Sequence, residues 1–199
     1  MSYEYRKMSP EERNEVVDTR KNQGYPLHAP PHPYRDIGWY LITGTNFEHK
    51  PIMHLPTRRA TFQEQLLTTF QEIGAKVDGW VILSNHYHLL SGEIGLPIIS
   101  SALKLLHGRT SRAWNLKDNL TGKRRVWYKF TDRAIRNEAH YFQALNYIHY
   151  NPIKHGYVSD PYIWKWSSLH EYFEIQGRDW LRHIWHQYPS KNFGNGWDD

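Results

Sequence analysis

Two strand-like runs that follow each other almost without a gap constrain the fold of this chain more than any other feature. Residues 76–83 and 86–91 are both rich in apolar and aromatic side chains, and only Ser84 and Asn85 separate them. Such a short connection joins antiparallel strands, because parallel strands need a crossover of a dozen or more residues. The sequence therefore predicts a β-hairpin.

A pair of histidines lies in the second run, in the motif Ser84-Asn85-His86-Tyr87-His88-Leu89-Leu90. Alternate side chains of a strand point to the same face, so both imidazoles should point the same way, with apolar neighbours on the other side. Two aligned imidazoles make up half of a typical metal site, although a His-x-His pair alone has modest specificity. The pair is therefore a candidate site that other residues must complete.

The rest of the chain alternates between the two periodicities that mark helices and strands. Beyond the hairpin, the predicted elements are strand 38–45, helix 58–73, helix 97–114, strand 126–130 and helix 138–150, with Pro152 limiting the last helix. The order strand, helix, strand, strand, helix, strand predicts an α+β fold. It is a ferredoxin-like βαββαβ sandwich, with an antiparallel four-stranded sheet and helices on one face.

The two ends of the chain are predicted to be additions to this unit. Ser9-Pro10-Glu11-Glu12 is typical of a helix start, and that helix should reach about Asn22. The proline-rich segment 26–33 predicts an extended linker, and after Gly156 the chain reads as aromatic and irregular. The expected organisation is an N-terminal helix and linker at 1–36, a main domain at 37–175, and an irregular C-terminal tail at 176–199.

Composition narrows the possible functions. The chain of 199 residues has no cysteine, which excludes disulfides, thiolate catalysis and cysteine-based zinc fingers. Its net charge is +5, yet residues 104–136 contain ten Lys or Arg and only two acids, so the remainder is slightly acidic. Four aromatic residues are interleaved there: Trp114, Trp127, Tyr128 and Phe130. This pattern favours nucleic acid over a merely solvated helix face, since bases stack on rings while phosphates pair with cations.

The helix predicted at 138–150 carries a polar stripe opposite its broader apolar side. Tyr147 lies near the middle of this stripe, with Gln143 four residues before it and Asn151 four residues after it. This spacing places both side chains next to the ring. Tyr150 shares the stripe and competes with Tyr147 for any role. Because Asn151 precedes a proline, its backbone could already have left the helix.

Four motifs together resemble a known family. Asn85-His86-Tyr87-His88-Leu89-Leu90 resembles the HUH motif, in which two histidines flank a bulky residue. Residues 147–156 resemble the tyrosine-helix motif of the REP-associated tyrosine transposases, relatives of the single-tyrosine HUH transposases. Residues 127–137 resemble the stretch before that helix, and residues 164–168 resemble the C-terminal signature. The resemblance spans about residues 39–172 and depends on the combination and order of the motifs.

The resemblance implies a metal-dependent site. His86 and His88 would bind a divalent cation, Mg²⁺ or Mn²⁺ by analogy, and the tyrosine helix would supply a third ligand four residues after the nucleophile. That position is Asn151, whose neutral amide offers one oxygen, so metal affinity should be modest. Gln143 and Glu93 are fallback ligands. Imidazoles alone would also suit Zn²⁺ or Ni²⁺.

The resemblance also implies a reaction and a partner. Tyr147 would attack a phosphate of single-stranded DNA beside a hairpin, forming a 5′-phosphotyrosine and releasing a 3′-hydroxyl that can later rejoin the strand. No nucleotide cofactor is needed, because the bond energy is retained. The oligomeric state stays open. The candidates for DNA contact are Arg109, Arg112, Trp114, Lys123, Arg124, Arg125 and Lys154.

Two other functions stay open from the sequence. The chain could be a module that binds hairpin DNA and has lost cleavage, or a metal-dependent nuclease in which water attacks and Tyr147 is structural. Glu93 is the only acid close in sequence to the histidine pair, which speaks against the nuclease. The chain has no apolar stretch of transmembrane length and no apolar signal core at its start, so we expect a cytoplasmic protein with no membrane partner.

Overall fold

The protein is described by a computed structural model over residues 9–22, 38–190 and 193–194. The chain forms two compact units, Met1–Asp36 and Ile37–Asp199. Within the described parts of the chain, no helix is both long and apolar enough to cross a membrane. The linker predicted at 26–33 lies outside the described residues.

The first unit contains helix α1, Pro10–Asn22. Ser9 and Glu12 cap its start reciprocally: the Glu12 backbone N–H donates to Ser9 Oγ at 3.2 Å, and the Ser9 backbone N–H donates to Glu12 Oε2 at 2.7 Å. Each bond satisfies a backbone donor that the first helical turn leaves without a partner. The predicted N-terminal helix is confirmed.

The second unit is built on a four-stranded antiparallel sheet with the strand order β2-β3-β1-β4. The strands are β1 Gly38–Thr45, β2 Lys76–Ile82, β3 His86–Ile94 and β4 Thr131–Ala134. The α-helices of this unit are α2 Pro56–Glu72, α3 Leu96–Lys117, α4 Glu138–Lys154 and α5 Leu169–Gln187. This order is that of a ferredoxin-like sheet, so the predicted α+β fold class is confirmed.

One face of the sheet packs against α2 and α3, and we call it the aromatic side. Tyr87 points into it from β3, with its ring 5.2 Å from that of Phe62 and 5.8 Å from that of Trp127. Gly44 on β1 makes room for Tyr87, since a Cβ at Gly44 would come within 2.2 Å of the tyrosine ring. The Tyr87 hydroxyl meets His107 Nε2 at 3.0 Å. A bulky side chain at position 87 thus fills the centre of this core.

The opposite face packs against α4, and we call it the site side. Leu90 of β3 joins Leu145 and Ile148 of α4 in one apolar cluster. Helix α5 packs in turn on α4, where Asn146 Nδ2 donates to the Ile184 carbonyl at 3.1 Å. Helices therefore lie on both faces, and the expectation of helices on one face is wrong. The βαββαβ unit covers only one face with α2 and α3, and the chain after β4 covers the other.

The fourth strand lies later in the chain than predicted. Thr131–Ala134 pairs with β1, whereas Trp127 makes only an isolated bridge with Asn46. The Trp127 ring is buried on the aromatic side, and its Nε1–H donates to Thr110 Oγ1 at 3.0 Å. The backbone around Trp127 pairs with the chain at the end of β1, where the Phe47 N–H donates to the Val126 carbonyl at 2.8 Å and the Tyr128 N–H donates to the Thr45 carbonyl at 2.9 Å. This pairing is limited to one bridge, so the run forms no strand of its own.

Helix α4 runs past Pro152, contrary to the predicted end. A proline in the last turn removes one backbone hydrogen bond, and the turn is closed by the His155 N–H, which donates to the Asn151 carbonyl at 3.1 Å. Asn151 is therefore helical and stays on the same face as Tyr147, four residues earlier.

The C-terminal part of the chain is also more regular than predicted. Residues expected to form an irregular tail belong to α5, which is kinked at Gly177, where φ is 80°. Beyond Ser190, Phe193 and Gly194 are the described residues.

Candidate active site

The two imidazoles of β3 lie side by side on the site side. His86 and His88 are both buried, with ring centres 5.0 Å apart. His88 Nδ1 lies 2.8 Å from Thr43 Oγ1 of the neighbouring strand, and His86 Nδ1 lies 2.8 Å from Asn85 Oδ1. Partners at Nδ1 orient a ring and direct its Nε2 into the site, which is how metal-binding histidines are commonly held.

Asn151 comes next to His86 from the other side of the site. Its Oδ1 lies 3.2 Å from His86 Nε2, and its Nδ2 has no hydrogen-bond partner within the described structure. His86 therefore faces an amide oxygen at each ring nitrogen. A neutral imidazole can donate to only one of them, so the other contact needs a second proton, a rotated amide or a cation between the two atoms.

Tyr147 of α4 faces the same pair. It is only 1% exposed, and its ring centre lies 5.0 Å from that of His88. Lys154 Nζ donates to the phenolic oxygen at 3.4 Å and lies 5.0 Å from the ring centre. The competing Tyr150 is 39% exposed and packs against Trp185 instead. Of the two tyrosines, the structure brings Tyr147 to the histidines.

The C-terminal end of the described chain covers Tyr147. The Phe193 ring lies 5.5 Å from the tyrosine ring, and Lys154 Nζ donates to the Gly194 carbonyl at 3.3 Å. A Cβ at Gly194 would come within 2.2 Å of the Tyr147 ring, so the backbone lies directly against it. The phenol is therefore closed off from solvent in this conformation.

The structure adds one side chain that the sequence reading missed. The His155 ring lies 4.8 Å from that of His86. A histidine near a helix C-terminus is also favoured by the helix dipole, which is a sufficient structural reason for its presence. The available signal was its spacing, because His155 follows Asn151 by four residues and so continues the stripe that holds Tyr147.

The two fallback ligands do not join this cluster in any contact of the described structure. Glu93 lies near the far end of β3, where it is 3.5 Å from Lys76 Nζ. Gln143 lies one turn before Tyr147 on α4. Across the described ranges, no three His, Cys, Asp or Glu side chains group closely enough to hold a metal ion. Two imidazoles and the Asn151 amide are thus the available donor set.

The basic segment is more structural than the sequence suggested. Trp114, predicted to stack on bases, is buried between Phe62 and Trp127, at ring distances of 5.8 Å and 5.4 Å, so its expected role is corrected to that of a core residue. A ring that fills the core has no face left for a base.

Arg124 holds a carboxylate rather than facing solvent. Its Nη2 lies 2.7 Å from Asp118 Oδ2, and Arg58 binds both carboxylate oxygens. Hydrogen bonds from Arg58, with further help from Arg124, lower the pKa of Asp118 to about 2.

The other predicted DNA contacts remain predictions. Arg109, Arg112 and Lys123 are exposed. Arg125 is also exposed and lies over the rings of Phe47 and Tyr128. Lys154 is exposed as well, and its Nζ reaches the phenolic oxygen of Tyr147 in the candidate site.

Comparisons with known proteins supply the family context. No protein-family model matches the chain. The REP-associated tyrosine transposase of Escherichia coli (strain K12) is 25% identical over 139 residues, covering 66% of this chain and 80% of that protein. A putative REP-associated tyrosine transposase of Haemophilus influenzae is 29% identical over 110 residues, covering 50% of this chain and 62% of that protein.

The fold is shared with a solved REP-associated tyrosine transposase that is bound to a REP hairpin. The TM-score is 0.62 at 21% sequence identity, over 74% of this chain and 86% of that one. The resemblance to the REP-associated tyrosine transposases is confirmed. The four-stranded antiparallel sheet with its helices is therefore a fold known among REP-associated tyrosine transposases.

Proposed function

We propose that this chain is a transposase that nicks and rejoins single-stranded DNA beside a hairpin. The observation that carries the proposal is the convergence of one phenol and two imidazoles, since the ring of His88 lies 5.0 Å from those of both Tyr147 and His86. These side chains come from α4 and β3, which are far apart in the sequence. The relatives are named as transposases, and one was solved with a REP hairpin, which supports hairpin DNA as the partner.

In the proposed reaction, the Tyr147 oxygen attacks a phosphorus atom of the DNA backbone. A bond forms between the phenolic oxygen and phosphorus, and the bond from phosphorus to the 3′-oxygen breaks. The phenolic proton passes to solvent, and the departing oxygen takes up a proton to become a 3′-hydroxyl. Attack by a 3′-hydroxyl on the resulting 5′-phosphotyrosine reverses the step and joins strands.

Lys154 is placed to assist Tyr147 in both directions. Its ammonium lies 3.4 Å from the phenolic oxygen. A cation at this distance stabilises the negative charge that the oxygen carries when it attacks and when it leaves. Because Lys154 follows Tyr147 by seven residues, two turns of α4 hold the two groups on one face.

The donor set around His86 fits a divalent cation. The ring nitrogen and amide oxygen that face each other, His86 Nε2 and Asn151 Oδ1, are 3.2 Å apart. Neighbouring ligands of an ion with bonds of about 2.1 Å are separated by about 3 Å, so these two atoms are spaced as two ligands of one cation would be. We propose that His86, His88 and Asn151 would hold Mg²⁺ or Mn²⁺, which when bound neutralises charge on the attacked phosphate.

Hairpin binding without cleavage is a second candidate function, and the burial of Tyr147 favours it. While Phe193 and Gly194 cover the ring, no phosphate can reach the phenolic oxygen. Cleavage requires that the cover first moves away, whereas binding through exposed cations does not. The two candidates differ in one product, the covalent protein–DNA adduct.

The decisive experiment uses Tyr147→Phe, with Tyr150→Phe as the matched control. Single-stranded DNA from around the gene is incubated with the full chain and Mn²⁺, and a covalent band is sought by denaturing electrophoresis. We expect the wild type and Tyr150→Phe to form the adduct, Tyr147→Phe to lose it by at least about 10³-fold, and all three to bind the hairpin equally.

Three results would contradict the proposal. An adduct that persists in Tyr147→Phe would assign the nucleophile elsewhere. Tight hairpin binding with no cleavage by the wild type would establish the binding module, and 5′-phosphate ends without trapped protein would establish a nuclease that uses water.

A further inference from the structure

A cavity lies away from Tyr147, on the aromatic side of the sheet. It has a volume of about 520 Å³ and is bounded by the loop that leads into α2 and by the turn that follows α3. Among its lining residues are Lys50, Ile52, Leu55, Leu120 and Lys123. Of these residues, Lys123 is also one of the DNA contacts predicted from the sequence.

The charged side chains of the cavity are held in place by hydrogen bonds and ion pairs. Arg58 is buried, donates to the Ile52 carbonyl at 2.9 Å and grips both oxygens of Asp118. Arg124 reaches the same carboxylate at 2.7 Å. One acid thus faces two guanidinium groups, which leaves an excess of positive charge on this wall.

The rim adds two lysines, one of them paired with a glutamate, and the floor is apolar. Lys123 is exposed, and Lys50 is exposed beside Glu48, with 2.6 Å between Lys50 Nζ and Glu48 Oε2. Ile52, Leu55 and Leu120 supply apolar lining. A cavity with an apolar floor and a cationic rim suits a ligand that has a flat ring, whose face packs on apolar side chains, and an attached anion, which describes a nucleotide.

The loop that forms this cavity also supports the histidine pair. The Met53 N–H donates to the Ser84 carbonyl at 2.8 Å, and Asn85 Nδ2 donates to the His49 carbonyl at 3.3 Å. Asn85 in turn contacts His86. The cavity and the candidate active site therefore share one connecting segment.

The same segment holds two strained residues. Glu48 and His49 adopt positive φ values of 55° and 51°. Side chains of L-residues rarely adopt this conformation, and strain of this kind clusters at ligand clamps and active sites. Such a conformation persists only where surrounding contacts hold the backbone, so the segment between the cavity and the histidines is held firmly in position.

We propose that this cavity binds one nucleotide of the single-stranded DNA that leads to Tyr147. The base lies against the apolar floor of Ile52, Leu55 and Leu120, and the phosphate lies at the rim with Lys50 and Lys123. The inference rests on the proposed function, because it takes the ligand to be the strand that the enzyme cleaves. It places strand recognition on the opposite side of the sheet from the chemistry.

The first test measures the binding of small probes. Amide chemical shifts of the full chain are followed during titration with the four deoxynucleoside monophosphates, with deoxynucleosides and with inorganic phosphate. We expect saturable shifts at Ile52 and Leu120 for at least one monophosphate, with at least five-fold weaker binding of its nucleoside and of phosphate. Equal binding of phosphate would overturn the nucleotide assignment, and so would the absence of any shift there.

The second test uses DNA of two shapes and matched charge changes. Lys123→Glu is compared with Arg182→Glu, which places the same charge change on exposed α5, and Leu55→Ala removes part of the floor without burial of a polar group. For a hairpin with a single-stranded flank, we expect at least ten-fold weaker binding for Lys123→Glu, about three-fold for Leu55→Ala and less than two-fold for Arg182→Glu. A blunt hairpin should respond less than two-fold to all three.

The outcomes separate the cavity from the nicking reaction. Equal losses on flanked and blunt DNA would place the cavity on the hairpin surface and overturn the inference. If the wild type binds neither DNA, the proposed function fails, and the mononucleotide titration then decides the cavity by itself. If DNA binds as expected but no Tyr147 adduct forms, the cavity stands while the cleavage proposal fails.

Discussion

The buried side chains on the two faces of strand β3 have different surroundings. On the aromatic side, Tyr87 fills a space between rings, and its hydroxyl meets one partner, His107. On the site side, His86 and His88 sit in an equally buried position but are surrounded by polar side chains. Both sets of side chains are buried, but only the site side groups several polar side chains around the strand.

The two faces of β3 differ in how their buried polar groups find hydrogen-bond partners. Burying a polar group costs free energy unless each of its donors and acceptors finds a partner. Tyr87 follows this rule, and burial raises the pKa of its hydroxyl, which keeps the group neutral. On the site side, amide oxygens of Asn85 and Asn151 lie 2.8 Å and 3.2 Å from the two ring nitrogens of His86, and a neutral imidazole donates to only one of them.

The largest expected effect comes from changing one residue on each side of β3. Tyr87→Ala should lower the free energy of unfolding by about 3–5 kcal/mol, because it leaves a ring-sized cavity in the aromatic core. His88→Ala should cost only about 1–2 kcal/mol, since it removes one buried hydrogen bond to Thr43, yet it should abolish the protein–DNA adduct. Chemical denaturation and the adduct assay measure the two effects.

The opposite results would contradict this division between a stabilising face and a functional face of β3. A stable Tyr87→Ala would mean that the aromatic side is not the main core. A His88→Ala variant that still forms the adduct at wild-type rate would remove the imidazole pair from the mechanism.

The next effect in size is the response to acid. Burial lowers the pKa of His107 on the aromatic side to about 4 and that of His149, on α4, to about 3. In the unfolded chain both imidazoles take up protons below about pH 6.5, so unfolding binds protons and stability falls as the pH drops from 6.5 towards 4. Each histidine contributes up to about 1.4 kcal/mol per pH unit in this window.

A matched pair of variants checks this slope. Between pH 6 and pH 4.5, His107→Gln should lower the slope of unfolding free energy against pH by the uptake of about one proton, which is at most about 1.4 kcal/mol per pH unit. His183→Gln, on the exposed surface of α5, should leave the slope unchanged. Denaturant melts at several pH values give the slopes directly. Parallel slopes for all three proteins would mean that His107 is protonated in the folded state.

The smallest expected effect concerns the cover over Tyr147. Gly194 has a φ of 82°, and a Cβ there would lie 2.2 Å from the Tyr147 ring, so Gly194→Ala should displace the covering backbone. If the cover limits access, adduct formation should rise by about two- to five-fold, with little change in melting temperature. Gly74→Ala, at a similar φ of 72° but with open space around it, controls for backbone strain alone.

A fall in adduct formation for Gly194→Ala would give the covering residues a positive role in the site. No change would mean that the cover opens faster than the reaction proceeds.

Prediction from sequence worked best where the deciding contacts are local. The hairpin, β1 and the cores of α2, α3 and α4 follow from periodicity, and the capped start of α1 follows from four adjacent residues. It failed where distant contacts win. The fourth strand forms at Thr131–Ala134 while Trp127 makes only an isolated bridge, and Pro152 lies inside a helix because only one bond is lost there.

The candidate site divides in the same way. The shared direction of His86 and His88 follows from the period of a strand, and the stripe of Tyr147 and Asn151 follows from the period of a helix. That the stripe is buried, that His155 joins it, and that Phe193 covers it depend on elements far apart in the chain. No pattern within one element contains that information.

By itself, the sequence determined the strand and helix order, the antiparallel hairpin and the common face of the two histidines, because backbone periodicity and turn length are local properties. Only the tertiary structure decided which tyrosine meets those histidines and which cations serve the core instead of a ligand. It also decided that a cavity opens on the far side of the sheet. These outcomes depend on how the elements pack across the sheet, because the free energy of burying each group is set by contacts from several elements together.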